Sequence, residues 1–126
     1  MFTKELIKKV KKISYEAGFD DFGITDLENF EFYSLKLEEF IKKKYHGEMT
    51  WMKEKKLFRK NPKNLWLEAR SAIVLGINYG TKKNPIVELK EKKKAYISIY
   101  SRRKDYHKVI KSKLKSVARS LQKITK

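Results

Sequence analysis

Residues Ser71 to Tyr79, Ser-Ala-Ile-Val-Leu-Gly-Ile-Asn-Tyr, form a nearly unbroken apolar run of nine residues. That is too short for most buried helices, and Ile73, Val74 and Ile77 supply the β-branching that favours a pleated backbone. Apolar residues at successive positions face both sides of a strand, so the run predicts a central strand covered on both faces. A strand of that kind needs helices to cover it, which restricts the chain to an α/β architecture.

The flanking sequence supplies those helices. Leu6, Val10, Ile13 and Ala17 recur at helical spacing, and residues 3–17 predict an amphipathic helix capped by Thr3 and ended by Gly18. Phe19, Phe22 and Ile24 predict a short strand with Asp20, Asp21 and Gly23 at its margins. Ser34 is expected to cap a second helix through Lys44 that buries Leu37, Phe40 and Ile41, with Tyr45-His46-Gly47 as its break. Glu48 to Lys56 predicts one or two further turns carrying Met49, Trp51 and Met52. Asn61-Pro62 signals a turn, and Asn64 to Ala69 reads as a short helix leading into the sheet. Residues 80–94, with Gly80, Pro85 and a Lys-Glu-Lys-Lys-Lys run, read as a solvated loop. The expected fold is therefore a small sheet of two or three strands with packed helices, in one domain spanning 1–126.

Tyr96-Ile-Ser-Ile-Tyr100 alternates apolar and polar positions, which suits a strand, and Asp105 reads as the N-cap of a helix reaching about residue 125. One face of that helix carries Tyr106, Ile110, Leu114, Val117, Leu121 and Ile124; the other carries a ridge of Lys108, Lys111, Lys115 and Arg119. A strand feeding a helix start is where α/β proteins hold anionic ligands, because the first helical N–H groups are unpaired. Arg102, Arg103 and Lys104 add charge to this junction and its tyrosines add stacking surface, so it suits a ligand with rings and phosphates.

Charge sharpens the choice of partner. The formal net charge is +17, carried mostly by lysine, with arginine only at 59, 70, 102, 103 and 119. Such a surface attracts polyanions, RNA or DNA first and anionic membranes behind them. The absence of cysteine excludes disulfides, thiol chemistry and cysteine-held zinc or iron–sulfur clusters in this chain. With His46 and His107 as the only histidines, no metal site is expected. No Walker loop, dinucleotide fingerprint or His-Glu-x-x-His occurs, no serine sits in a nucleophile elbow, and no catalytic residue is assigned. No apolar run approaches the roughly 20 residues that cross a bilayer, and the N-terminus has no signal-peptide core. A cytoplasmic location without membrane attachment is expected.

Several segments combine into a specific pattern. Ala17-Gly18-Phe19 and Gly23-Ile24-Thr25-Asp26 are followed by Tyr-His-Gly-Glu-Met-Thr-Trp-Met at 45–52 and by Arg59 with Asn61-Pro62 and Leu65. Ala69-Arg70-Ser71 then runs into Ile73-Val74-Leu75 and Asn78-Tyr79, ahead of Tyr100-Ser-Arg-Arg-Lys-Asp-Tyr-His107 and Leu114. This order resembles the N-terminal part of epoxyqueuosine reductases over essentially the whole chain. The resemblance implies a cobalamin-dependent enzyme of tRNA modification, which reduces epoxyqueuosine to queuosine with electrons from two iron–sulfur clusters. It implies a cobalamin-binding half similar to nitroreductase-like α/β domains. By matching position, Arg59 and Ser98 would touch cobalamin, with Tyr100 beside it. Arg102, Tyr106 and His107 would line the corrin or substrate side; independently of the resemblance, the basic ridge places Lys108, Lys111 and Lys115 where they would face tRNA.

Two departures qualify the match. Arg103 stands where the family usually has glycine. The chain also ends before the family's proton-donating aspartate and its ferredoxin-like domain, and without cysteine it can hold no iron–sulfur cluster. The resemblance thus implies a part that is inactive alone: a split-gene half working with a separate iron–sulfur chain, or a remnant. The alternative reading is a small, basic, non-catalytic RNA-binding module.

Overall fold

A computed structural model describes residues 3–28 and 30–125. Strand β1 (Asp21–Asp26) pairs with β2 (Ser71–Gly76) in a two-stranded sheet. The Asp20 N–H donates to the Gly76 carbonyl at 2.9 Å, and the Leu27 N–H donates to the Arg70 carbonyl at 3.1 Å. One strand advances as the other retreats, so the pair is antiparallel. β2 is shorter than the apolar run. Beyond Gly76 the Asn78 N–H donates to the Asp20 carboxylate at 2.7 Å, which replaces a ladder bond with a side-chain bond. The expected cover on both faces is not found: β2 is partly exposed along its length, and Val74 is 59% exposed.

The chain packs as two compact units, one of Met1–Phe22 with Leu75–Lys126 and one of Gly23–Val74. In the first, helix α1 (Lys4–Glu16) packs against the long C-terminal helix Tyr106–Ile124. The Thr3 hydroxyl accepts from the Leu6 N–H, and Gly18 takes φ +85° just past the helix, as the sequence predicts. Val10, Phe19 and Val117 are buried, as is Ser14, whose hydroxyl donates to the Val10 carbonyl at 2.8 Å. Ser14 is thereby satisfied inside the turn of its own helix. The Lys113 ammonium donates to the Gly18 carbonyl and lies 5.9 Å from the centroid of the Phe19 ring. In the 80–94 segment, Asn84 accepts from the Ile86 N–H and starts a 3-10 helix over Pro85–Lys90.

The predicted strand at 96–100 is not formed. Residues 96–98 join no ladder, and Ile99–Ser101 is a 3-10 turn. Ser98 turns the chain: its carbonyl accepts both the Ser101 N–H (3.0 Å) and the Ser101 hydroxyl (2.9 Å). Asp105 caps the final helix as expected, accepting from the His107 N–H at 3.0 Å.

In the second unit, helix α2 (Glu31–Lys42) starts earlier than the Ser34 cap predicts. The Ser34 N–H donates to the Phe30 carbonyl at 2.9 Å, so Ser34 lies inside the first turn. The break after α2 uses left-handed backbone at Lys44 (φ +57°) and Gly47 (φ +55°), and it buries His46 between them. Short helices α3 (Thr50–Glu54) and α4 (Lys56–Lys60) follow, and α4 packs on α2 and on a 3-10 turn at Pro62–Asn64. The Lys60 ammonium pairs with Glu38 of α2 and holds that carboxyl below its usual range. The short helix expected over Asn64–Ala69 is absent. The Asn61 side chain accepts from the Lys63 N–H, and the Asn64 amide donates to the Leu57 carbonyl at 2.6 Å. These side-chain bonds hold the backbone in turns, and Leu65, Trp66 and Leu67 stay 72%, 65% and 81% exposed. The remaining helix, Tyr106–Ile124, is α5.

Candidate functional site

The start of α5 borders a cavity of about 580 Å³ within the first unit. Three stretches build it. The segment leaving β2 contributes Ile77, Asn78 and Tyr79; the 3-10 turn contributes Ile99 and Tyr100; α5 contributes Tyr106, Val109 and Ile110. Arg103 and Lys104, both exposed, complete the lining. The wall is chiefly apolar, with three tyrosines, one carboxamide and two cations. Such a surface holds a planar or apolar body by contact and stacking and pairs its anionic substituents with the cations.

Two of the residues singled out from sequence, Tyr100 and Tyr106, meet in this cavity. Ser98, Arg102 and His107 are outside its lining. Arg102 is engaged within the chain: Nη2 lies 2.7 Å from the Glu88 carboxylate, and Nε donates to the Ile97 carbonyl at 2.6 Å. Its guanidinium also lies 5.0 Å from the Tyr96 ring centroid. The clamp ties the 3-10 helix at Pro85–Lys90 to the approach of Tyr100. Its hydrogen bond holds the Glu88 carboxyl below its usual value and raises the Arg102 guanidinium. Because the Glu88 value is lowered by folding, the clamp is fully present above the ordinary 4.5 and weakens as pH falls through the lower folded value. Arg102→Ala is expected to speed hydrogen exchange and proteolysis across residues 85–101 while leaving α1 protected; unchanged exchange there counts against the clamp.

His107 is held locally. Its Nδ1 lies 3.0 Å from Asp105 Oδ1, and its ring stacks on Tyr106 with centroids 4.0 Å apart. The His107 imidazole, followed by its backbone N–H, holds the Asp105 carboxyl below its usual range. Lys108, Lys111 and Lys115 are exposed along α5, and Lys108 lines a second recess with Lys104, Asp105 and Lys113. Arg59 belongs to the second unit, where its guanidinium stacks 4.4 Å from the Trp51 ring centroid. In the same unit, His46 is 9% exposed and its Nδ1 has no hydrogen-bond partner.

Tyr79 was not among the candidate residues read from the sequence, whereas Arg103 and Lys104 were read there as charge at the junction. Tyr79 closes the apolar run, and an aromatic at the end of a strand was the available signal. Among the described residues no cluster of three His, Asp or Glu side chains is placed to hold a metal, and no helix is long and apolar enough to cross a membrane.

Comparison with known proteins agrees with the ordered motifs. The family profile described as epoxyqueuosine reductase QueG, DUF1730, matches residues 59–126, more than half of the chain. An epoxyqueuosine reductase of Escherichia coli K12 is 34% identical over 119 residues, covering 94% of this chain and 31% of the relative. One from Prochlorococcus marinus is 33% identical, covering 94% and 36%. One from Cyclobacterium marinum is 37% identical over 114 residues, covering 90% and 36%. The chain thus spans about a third of the length of these relatives. No solved structure matches it.

Proposed function

Because the chain belongs to the epoxyqueuosine reductase family, we propose that it forms the N-terminal, cobalamin-binding part of such an oxidoreductase, acting in the cytoplasm on tRNA in queuosine biosynthesis. The observation that carries this reading is the cavity that joins Tyr100 and Tyr106 beside Arg103 and Lys104. In this reading the sheet and helices are part of a nitroreductase-like half. The complementary iron–sulfur part lies outside these 126 residues, and the 126 residues alone do not turn over epoxyqueuosine.

The residues fit one face of cobalamin. An apolar, tyrosine-lined wall of about 580 Å³ suits the edge of a corrin, and Asn78 suits its peripheral amides. Tyr100, on the turn that Ser98 starts, would hold the group, which when bound supplies the reducing centre. Tyr106 and His107 stack as a platform for a substrate ring, Arg102 braces the turn that presents Tyr100, and Lys108, Lys111 and Lys115 pair with tRNA phosphates. Iron–sulfur clusters do not fit: their ligands are cysteine thiolates, and the chain has none.

Titration with cobalamin tests the reading. The expected result is a spectral change on binding that Tyr100→Ala abolishes while circular dichroism stays unchanged; no change with the unmodified chain refutes it. A second reading, a non-catalytic RNA-binding module, draws on the exposed lysine ridge of α5. It gains if tRNA binds without any cobalamin response and affinity falls with salt at a log–log slope near −0.9 per phosphate contact on duplex.

A further inference from the structure

Leu65, Trp66 and Leu67 are three consecutive large apolar side chains, each at least 65% exposed. Single exposed hydrophobics are ordinary, but a contiguous exposed run is a liability that a soluble surface avoids unless it is used. The run is also firmly presented. The Leu65 and Trp66 N–H groups both donate to the Pro62 carbonyl, and the Ala69 N–H donates to the Trp66 carbonyl. Asn64 anchors the turn to α4 through the Leu57 carbonyl, and Leu57 is itself 61% exposed. The side chains therefore stand on a braced turn. Such a knob loses little conformational freedom on contact, which favours association.

We infer that this Leu-Trp-Leu turn is a docking surface for the polypeptide that makes up the rest of an epoxyqueuosine reductase, whether in the same chain or a separate one. The occupant follows from coverage. The relatives match this chain over 31–36% of their length, so most of their polypeptide lies outside the matched part, and the turn falls inside the segment that the family profile spans. The partner surface is an apolar recess able to take the Trp66 indole between two leucines, since aromatic anchors in pockets dominate such interfaces. The proposal rests on the family reading but not on cobalamin.

The test co-expresses the full 126-residue chain with the part of the Escherichia coli relative outside the match and measures their association by co-elution and calorimetry. Leu67→Glu and Trp66→Ala change exposed side chains, so both variants should keep the circular dichroism of the parent. A stable complex that each variant weakens at least about tenfold is the expected result. The inference is overturned if the parent chain does not associate, or if the variants bind as the parent does. It is also overturned if sedimentation shows the parent chain self-associating through the turn and Leu67→Glu dispersing that dimer. Failure of the cofactor reading looks different: the complex forms and responds to Leu67→Glu, but cobalamin produces no spectral change.

Discussion

Val10→Asp is expected to leave the unit built from α1 and α5 unfolded. Val10 is 1% exposed, on the face of α1 that packs toward α5. The hydroxyl one turn away, on Ser14, is already committed to the Val10 carbonyl, and the neighbouring buried residues Phe19 and Val117 are apolar. A carboxylate there has no partner, and an uncompensated buried charge costs roughly 3–5 kcal/mol, a large part of the ~5–15 kcal/mol that stabilises a typical domain. Because α1 and α5 contain 13 and 19 residues, their melting removes much of the helical circular dichroism. Val10→Ala is the graded companion: two methyl groups lost from a packed site should cost about 2 kcal/mol and leave the fold intact. A Val10→Asp chain with parental ellipticity and denaturant midpoint contradicts the assignment of this core.

The second large effect is expected at Gly18. Its φ of +85° is open to glycine and strained for a β-branched residue, by roughly 1–2 kcal/mol. A Cβ at this position would also lie 2.5 Å from the Lys113 ammonium. That clash falls on the end of a flexible side chain, so Lys113 swings away and forfeits its bond to the Gly18 carbonyl. Gly18→Val should therefore lower stability by about 2 kcal/mol, or roughly 8 °C in Tm, whereas Gly18→Ala loses about half as much. Lys113→Met separates the two causes. If Gly18→Val is equally destabilising with Met at 113, backbone strain dominates; if the penalty disappears, the side chain is the cause.

Sequence patterning was informative where one physical cause decides the structure. The 3.6-residue spacing of Leu6, Val10 and Ile13, and that of Ile110, Leu114 and Val117, gave α1 and α5, while Thr3 and Asp105 marked their starts. Misreadings arose where side chains compete for the backbone. Tyr96 to Tyr100 alternates as a strand does, yet a strand needs a partner ladder, and here Ser101 and Arg102 take the Ser98 and Ile97 carbonyls instead. Asn61 and Asn64 divert the backbone after Pro62 in the same way, so the expected helix became a turn. The candidate site was legible in part. Tyr100 and Tyr106 were named by matching position in the family resemblance and share a cavity, whereas the Glu88 partner of Arg102 lay in a segment that composition marks only as solvated loop. Long-range pairing of one glutamate among many lysines leaves no local pattern to read.

The pairing of α1 with α5 has a consequence for synthesis. The first unit joins the two ends of the sequence, while residues Gly23–Val74 form their own unit between them. On a ribosome adding roughly 5–20 residues per second, Val10 emerges several seconds before Val117, about a hundred residues later. During that interval the amphipathic face of α1 has no α5 to cover it, and it is a natural client for holding chaperones. The middle unit is complete well before, so the nascent chain matures from its interior outward.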